Sequence, residues 1–228
     1  MEKGEGKPLI LLHGFMCSKE YFASQINYFS KNFKVVAYDL YGFGENIPVE
    51  YAYNLTDYAN EFINLASEYG EKVSVIAHSF GCRVVLKSMQ LKPDLIEKAV
   101  LCGVAGLKPP FNFKTYLKRN AQKITRPILT VEKSEKLFFS PDYNLVTGVM
   151  KESFKLVTSE YLNGVLPSIK APVFAVFGEK DRQTPPKIGD QLVKNIPDCG
   201  KYVMKRCGHF CYAERPAEFN HVVREFLV

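Results

Sequence analysis

The chain has 228 residues, of which 46% are hydrophobic and 24% are charged, as expected for a globular protein with one sizeable core. Its net charge of +6 comes from scattered basic residues without a nucleic-acid-binding motif, which argues against DNA or RNA as a partner. No apolar run approaches the roughly 18 residues of a membrane span, and the N-terminal residues lack a signal-peptide pattern. We therefore expect a cytoplasmic protein with no membrane span.

Short apolar runs alternate with amphipathic segments along the chain. The runs typical of buried strands are Pro8–Leu12, Phe33–Tyr38, Val73–Ala77, Lys98–Cys102, Pro172–Phe177 and Lys201–Met204. Helical spacing occurs between and after them, at 19–31, 56–69, 81–91, 186–195 and 216–227. This alternation predicts βαβ units, and therefore an α/β fold with a mostly parallel sheet of about six strands that is covered on both faces.

The alternation breaks between residues 107 and 166, a segment that is bounded by prolines and too long for an ordinary loop. Helical stretches are predicted there at 112–124, 127–137 and 142–163. We expect a core formed by residues 1–106 and 167–228, with residues 107–166 as a helical lid over the carboxyl edge of the sheet. The alternative is an independent helical module, for which the segment is short and insufficiently apolar.

Ser79 lies in the pentapeptide Ala77-His78-Ser79-Phe80-Gly81, directly after a predicted strand and before a predicted helix. This context is typical of a nucleophile elbow, a sharp turn that holds a serine hydroxyl above the sheet. The turn requires small neighbours, a demand that Gly81 meets fully and that Ala77 meets with the smallest side chain after glycine. The structural alternative for Ser79 is a helix N-cap.

A nucleophilic serine needs a base, and the sequence offers four histidines. His78 adjoins the serine, where neighbouring side chains diverge, and His221 lies within a C-terminal helical pattern. His13 follows a strand end, where we expect it to shape a loop. His209 remains, on a loop after the last predicted strand, at the edge where open α/β sheets bind ligands.

The histidine in turn needs an acid that orients it and stabilises its cation. Asp181 follows the predicted strand Pro172–Phe177 and gives the chain order Ser79, Asp181, His209 that this architecture requires. Glu179 is the alternative acid. Asp39 also follows a strand, but it leads a glycine-rich turn and is expected to fix that loop by accepting hydrogen bonds from backbone amides.

An acyl transition state also needs hydrogen-bond donors for its oxyanion. The backbone N–H of Phe80 is the first expected donor, and that of Phe15 is the second, with Met16 as the alternative. We further expect substrate contacts from Gly14, Met16, His78 and Phe210. Neither a cofactor nor a metal is expected, because no nicotinamide, flavin or metal motif occurs and the cysteines around His209 match no zinc finger.

Five motifs carry a resemblance to a known superfamily: HGF at 13–15, DLYGFGEN at 39–46, AHSFG at 77–81, GEKDRQTP at 178–185 and CGHF at 207–210. With these motifs the chain resembles the α/β-hydrolase superfamily over nearly its whole length, most closely small bacterial serine hydrolases with a short helical lid. By this resemblance Ser79 is the nucleophile, Asp181 the orienting acid and His209 the general base. The chain begins at what would be the family's third strand, so the first antiparallel hairpin is expected to be missing.

The resemblance implies a serine hydrolase that cleaves a carboxylic ester of a small or medium acyl substrate through an acyl-enzyme intermediate. One alternative is a carbon–carbon bond hydrolase or lyase of the meta-cleavage-product or menaquinone-pathway type, marked by basic lid residues such as Arg119 or Arg126 facing a carboxylated substrate. Another is a ligand-binding protein on the same scaffold, and acyltransferase or perhydrolase chemistry also stays open. A monomer or homodimer is expected, since the missing hairpin exposes a sheet edge.

Overall fold

The computed structural model describes residues 1–47, 49–70, 72–108 and 146–228. The strands are β1 (Glu2–Lys3), β2 (Pro8–Leu12), β3 (Lys34–Tyr38), β4 (Val73–His78), β5 (Ile96–Cys102), β6 (Val173–Gly178) and β7 (Cys199–Met204). The helices are α1 (Ala23–Phe29), α2 (Leu55–Ser67), α3 (Phe80–Leu91), α4 (Gly148–Ser159), α5 (Lys187–Asn195), α6 (Cys211–Glu214) and α7 (Pro216–Leu227), with 3-10 turns at Lys19–Phe22 and Leu166–Ser168.

The strands form one sheet in the order β1-β3-β2-β4-β5-β6-β7. Every neighbouring pair is parallel except β1 and β3, which confirms the predicted α/β fold with a mostly parallel sheet. The sheet has seven strands in the described residues, whereas about six were predicted. The additional strand is β1, whose Glu2 and Lys3 pair with β3 and cover part of the edge expected to be bare.

Helices cover both faces of the sheet, and this explains why β2 is apolar throughout. All five residues of Pro8–Leu12 are buried, since side chains of alternating direction meet helices on either side. The core therefore has two layers. One includes the apolar side chains of α2, α3 and α5, and the other includes those of α1 and α7.

A buried polar contact joins the beginning of the chain to its end within the second layer. The Nε2 of Gln25, on α1, donates hydrogen bonds to the backbone oxygen of Tyr212 at 3.0 Å and to Oδ1 of Asn220 at 2.9 Å. Asn220 belongs to α7, so this contact fixes the last helix against the first. A buried amide needs such partners, because an unpaired one is costly.

The segment expected to form the lid is described only at its two ends. Helix α4 lies within the predicted helical stretch 142–163, whereas the stretches 112–124 and 127–137 lie outside the described residues, as do Arg119 and Arg126. Val157 of α4 is buried in the core layer that contains α2 and α3. No helix in the described part of the chain is long and apolar enough to cross a membrane.

Candidate active site

Ser79 connects β4 to α3 in a backbone conformation that few residues adopt. Its φ is 49° and its ψ is −105°. A positive φ is energetically costly for a residue with a side chain. The amide of Ser79 donates a hydrogen bond to the backbone oxygen of Cys102 at 2.9 Å, which anchors the turn to β5. The strand, strained turn and helix match the predicted elbow.

Gly81 allows α3 to approach β2 closely behind this turn. A Cβ atom at this position would lie 2.6 Å from the backbone oxygen of Leu12 and 2.8 Å from that of His13. Real Cβ atoms do not come so near to backbone oxygens, so glycine is required here. Ala77, on the strand side of the turn, is fully buried, and the structure accommodates its methyl group.

Asp181 and His209 lie after the carboxyl ends of β6 and β7 and contact each other. The Nδ1 of His209 lies 2.7 Å from Oδ2 of Asp181. The other carboxylate oxygen accepts hydrogen bonds at 2.9 Å from the amides of Gln183 and Thr184. Burial alone would raise the pKa of Asp181, but the hydrogen bonds from His209 and Thr184 outweigh it and lower the pKa. Asp181 therefore remains ionised.

Two residues that the sequence interpretation missed complete this pair. The hydroxyl of Thr184 donates to Oδ2 of Asp181 at 2.8 Å and lies 3.3 Å from Nδ1 of His209. Gly103, at a φ of +57°, leaves room for the imidazole: a Cβ there would lie 3.1 Å from Cε1 of His209. Aspartate side chains commonly form hydrogen bonds within turns, so the position of Thr184, three residues after Asp181, could have indicated this contact from the sequence.

The alternative acids have other partners. Glu179 accepts a hydrogen bond from the amide of Arg206 at 2.9 Å. Asp39 accepts from the amides of Lys19 at 2.7 Å and Glu45 at 3.1 Å, and from the ammonium group of Lys19 at 2.8 Å. Asp39 thus fixes its loop as the sequence predicted.

A cavity of about 350 Å³ opens beside Ser79. Its apolar lining consists of Phe15, Phe80, Ala105, Phe154 and Val157, and its polar lining consists of Ser79, Arg83, Thr158, Arg182, Gln183 and Thr184. Ser79 and Thr184 therefore share one cavity, and Thr184 is bonded to the carboxylate that contacts His209. The hydroxyl candidate and the acid–base pair converge on the same edge of the sheet.

The loop after β2 lies against the elbow, where the second oxyanion donor is expected. A Cβ on Gly14 would lie 3.5 Å from Cβ of Ser79, and the next residue, Phe15, lines the cavity. Phe80 is the first residue of α3, so its N–H has no carbonyl partner within the helix. Met16 has a φ of 59° and is 42% exposed as a residue. The assignment of the oxyanion donors remains a prediction.

His13 shapes the same loop, as predicted. Its Nε2 accepts a hydrogen bond from the amide of Leu40 at 3.1 Å, which leaves the proton on Nδ1 to be donated to the backbone oxygen of Gly14 at 2.7 Å. Burial lowers the pKa of His13 and keeps the ring neutral.

The four residues expected to contact substrate are absent from the cavity lining. His78 is only 1% exposed, and Gly14 packs against its ring. Phe210 is half-buried, and its ring centroid lies 4.9 Å from that of His78. Gly14, Met16, His78 and Phe210 thus lie around the elbow, and their contact with substrate stays a prediction.

Arg83 is a further cavity residue that the sequence interpretation missed, although it follows Ser79 by one helical turn. Its Nη1 donates hydrogen bonds to the backbone oxygens of Val157 at 2.8 Å and Glu160 at 2.9 Å. Burial lowers the pKa of Arg83 to about 10, so the group is still cationic at neutral pH. The sequence did offer a signal for Arg83, because a residue one helical turn after Ser79 is expected on the same side of the helix as the serine.

The cysteines around His209 do not suggest a metal centre in the described part of the chain. Cys207 and Cys211 are buried free thiols, and the Sγ of Cys211 lies 3.4 Å from that of Cys102. No group of three or more His, Cys, Asp or Glu side chains that could hold a metal ion occurs within the described ranges.

The mostly parallel sheet, with helices on both faces and a strained turn at Ser79 after its central strand, has the architecture of an α/β-hydrolase fold. A model of the Alpha/beta hydrolase family matches residues 9–222, and the chain belongs to that family. The fold and the family together make this protein a hydrolase.

The names of similar proteins refer to two kinds of hydrolase, namely esterases and hydrolases of dienoic acids or meta-cleavage products. The 2-hydroxy-6-oxo-6-(2'-aminophenyl)hexa-2,4-dienoic acid hydrolase of Metapseudomonas resinovorans is 22% identical over 100% of this chain and 86% of its own. Among solved structures, a meta-cleavage product hydrolase from Pseudomonas fluorescens IP01 has a TM-score of 0.76 at 21% identity, covering 100% of this chain and 92% of that one. A thermophilic esterase from Thermogutta terrifontis has a TM-score of 0.75 at 20% identity, covering 100% and 91%. The two structures support the fold.

Proposed function

We propose that this protein is a serine hydrolase that cleaves a carboxylic ester of a small or medium acyl substrate. The observation that carries the proposal is the 2.7 Å contact between Asp181 and His209, beside the cavity that Ser79 lines. Contact with Asp181 holds the proton on Nδ1 of His209, which makes Nε2 the nitrogen that receives a proton from the serine.

The first stage forms an acyl-enzyme. The Oγ of Ser79 attacks the ester carbonyl carbon while its proton passes to Nε2 of His209, and the carbonyl electron pair moves onto the oxygen. Amides of Phe15 and Phe80 stabilise this oxyanion. When the oxygen re-forms its double bond, the carbon–oxygen bond to the alcohol breaks, and the departing alkoxide takes the proton from His209.

The second stage releases the acid. His209 takes a proton from a water molecule, whose oxygen attacks the acyl carbon. The resulting tetrahedral intermediate collapses, the bond to Ser79 breaks, and the proton on His209 returns to the serine oxygen. Asp181 stays ionised throughout and stabilises the imidazolium in both stages.

The size of the cavity supports the substrate class. About 350 Å³ is near the lower end of the range for small-molecule sites, which is roughly 300 to 1,000 Å³. Phe15, Phe80 and Phe154 line the cavity and suit an apolar acyl chain. Because Phe154 and Val157 come from α4, we also propose that residues 107–166 form an insertion over a core of residues 1–106 and 167–228.

A second candidate is a carbon–carbon bond hydrolase that acts on a carboxylated substrate. Arg83 and Arg182 line the cavity and are the kind of groups that bind a carboxylate. The relative from Metapseudomonas resinovorans is named for the hydrolysis of such an acid. Here Ser79 and His209 keep their positions, and the bond cleaved lies next to a ketone.

The experiment compares wild type with Ser79→Ala on p-nitrophenyl esters of increasing chain length and on a ring-cleavage dienoate. We expect ester hydrolysis by wild type and at least a hundredfold loss of kcat in the variant. Equal rates in the two proteins would refute the ester-hydrolase proposal. Turnover of the dienoate with inert esters would select the second candidate.

A fluorophosphonate probe tests the nucleophile independently of the substrate. We expect one adduct on wild type, mapped by mass spectrometry to Ser79, and none on Ser79→Ala. An adduct on any other residue, such as one of the cysteines, would count against Ser79 as the nucleophile.

A further inference from the structure

The ring of His78 lies between three parts of the candidate site. It adjoins Ser79 in the chain, it packs against Gly14 of the loop after β2, and it contacts the loop that carries His209. We propose that His78 is a positioning residue that holds the His209 loop in register with the serine turn. This inference rests on the proposed function and adds a role to the residue before the nucleophile.

A hydrogen bond makes the connection to the His209 loop. The Nε2 of His78 lies 3.0 Å from the backbone oxygen of His209. A carbonyl oxygen only accepts, so Nε2 carries the proton and donates it. The bond fixes the backbone of the very residue whose imidazole must reach Ser79, and a shift of about 1 Å at such a place costs on the order of a hundredfold in rate.

The packing around the ring leaves little freedom for the loop. The ring centroid of His78 lies 4.6 Å from that of His209 and 4.9 Å from those of Phe210 and Tyr212. On the opposite side, a Cβ on Gly14 would lie 2.8 Å from Nδ1 of His78. The ring is therefore clamped between the expected oxyanion loop and the loop of the base.

The remaining ring nitrogen shows that packing alone does not explain a histidine here. Nδ1 of His78 is buried without a hydrogen-bond partner among the described residues, and an unpaired buried polar atom is destabilising. An aliphatic side chain of similar size would fill the space without that penalty. What the histidine supplies in return is the donor at Nε2, directed at His209.

The neutral state of the ring fits this role. Burial first, and then the neighbouring charge of His209, lower the pKa of His78 to about 3. The hydrogen bond to the backbone oxygen of His209 and the charge of Asp181 favour a charged ring, and His13 opposes one most weakly, but burial and the charge of His209 outweigh them. The phenol of Tyr212 also faces the ring and is un-ionised, since burial raises its pKa. A neutral His78 adds no second cation beside the imidazolium that His209 becomes during catalysis.

Two variants separate the donor from the packing. In His78→Gln, the side-chain NH2 stands where Nε2 of histidine stands and still donates, whereas His78→Met fills similar space with no donor. For hydrolysis of the best p-nitrophenyl ester, we expect kcat to be at least tenfold higher in His78→Gln than in His78→Met, with KM values within threefold of each other. Equal kcat values in two folded variants would overturn the proposal.

A measurement on wild type covers the case in which either variant fails to fold. In ¹⁵N-labelled protein at pH 6, we expect His78 to show a neutral ring protonated at Nε2, and a charged ring or the opposite tautomer would overturn the proposal. Fluorophosphonate labelling distinguishes the two levels of inference. If wild type is not labelled at Ser79, the proposed function fails; if it is labelled while the two variants have equal kcat values, only the role of His78 fails.

Discussion

The guanidinium group of Arg83 lies 2.9 Å from the backbone oxygen of Glu160, which follows the last residue of α4. A second hydrogen bond, to Val157, joins the same nitrogen to the last turn of that helix. A cation at a helix C-terminus pairs with carbonyls that lack intrahelical donors. Because α3 also begins directly after Ser79, this contact links the cavity wall to the helix of the proposed nucleophile.

We expect Arg83→Met to loosen α4. Each hydrogen bond to a charged group contributes about 1.5 to 3 kcal/mol, so the free energy of unfolding should fall by about 2 kcal/mol or more in urea titrations. The preference for acyl chain length should also broaden, since Phe154 and Val157 form part of the cavity. Lys87→Met is the control: the partly exposed ion pair of Lys87 with Glu160 contributes less than about 1 kcal/mol. Equal losses in both variants would contradict the prediction.

Replacing Asp181 with asparagine should lower kcat about 10²- to 10⁴-fold while KM stays within a few-fold. The amide directs an NH2 group or a weaker acceptor at Nδ1 of His209, so the ring no longer holds the tautomer that makes Nε2 a base. Steady-state kinetics on the best p-nitrophenyl ester measure the effect. Glu179→Gln serves as the comparison and should keep near wild-type rates. A larger loss in that variant would identify Glu179 as the acid.

Gly81→Ala should prevent normal folding. The added methyl group would lie 2.6 Å from the backbone oxygen of Leu12, in the interior of the sheet, where neither element can move aside. We expect destabilisation by at least about 3 kcal/mol in urea unfolding, or an insoluble product. Gly164→Ala is the matched control, since nothing lies within 4 Å of its Cβ position. A variant at 81 as stable as the one at 164 would show that α3 is packed less closely than described.

Stability should decrease as the pH falls from about 6.5 to 4.5. Burial lowers the pKa of both His13 and His78, so the unfolded chain, with a pKa near 6.5 for each, binds protons that the folded chain excludes. Each histidine contributes a slope of up to about 1.4 kcal/mol per pH unit in this window. Urea unfolding at several pH values measures it. The slope should shrink in His78→Gln and persist in His221→Gln, which removes an exposed histidine; a slope unaffected by His78→Gln would contradict the prediction.

Much of the fold was predictable because burial on both faces leaves a clear pattern. The strand Pro8–Leu12 was predicted with its observed bounds, since five buried positions between two helical layers accept only apolar side chains. The nucleophile elbow was predictable because its tight turn requires a residue without a side chain at position 81, where the sequence has glycine. The contact between Asp181 and His209 followed from their positions after neighbouring parallel strands, whose carboxyl ends meet at one edge.

Other features depend on partners distant in the chain. Strand β1 has only two residues, both polar, so no periodicity in the sequence indicates it. It is a strand only because it pairs with β3. From the sequence alone, Arg83 resembles any solvent-exposed helical residue. Only the three-dimensional structure shows that it contacts α4. The burial of His78 likewise became apparent only with the three-dimensional position of the loop around His209.

The hydrogen bonds from Gln25 to Tyr212 and Asn220 have a consequence for synthesis on the ribosome. The amide meets these partners only when α7 has left the exit tunnel, because Asn220 is made 195 residues after Gln25. A nascent chain that already contains β1 to β6 still lacks the helix that packs beside α1 on one face of the sheet. Such a chain is therefore expected to bind chaperones until α7 has been made, and catalytic competence should arise only after that point.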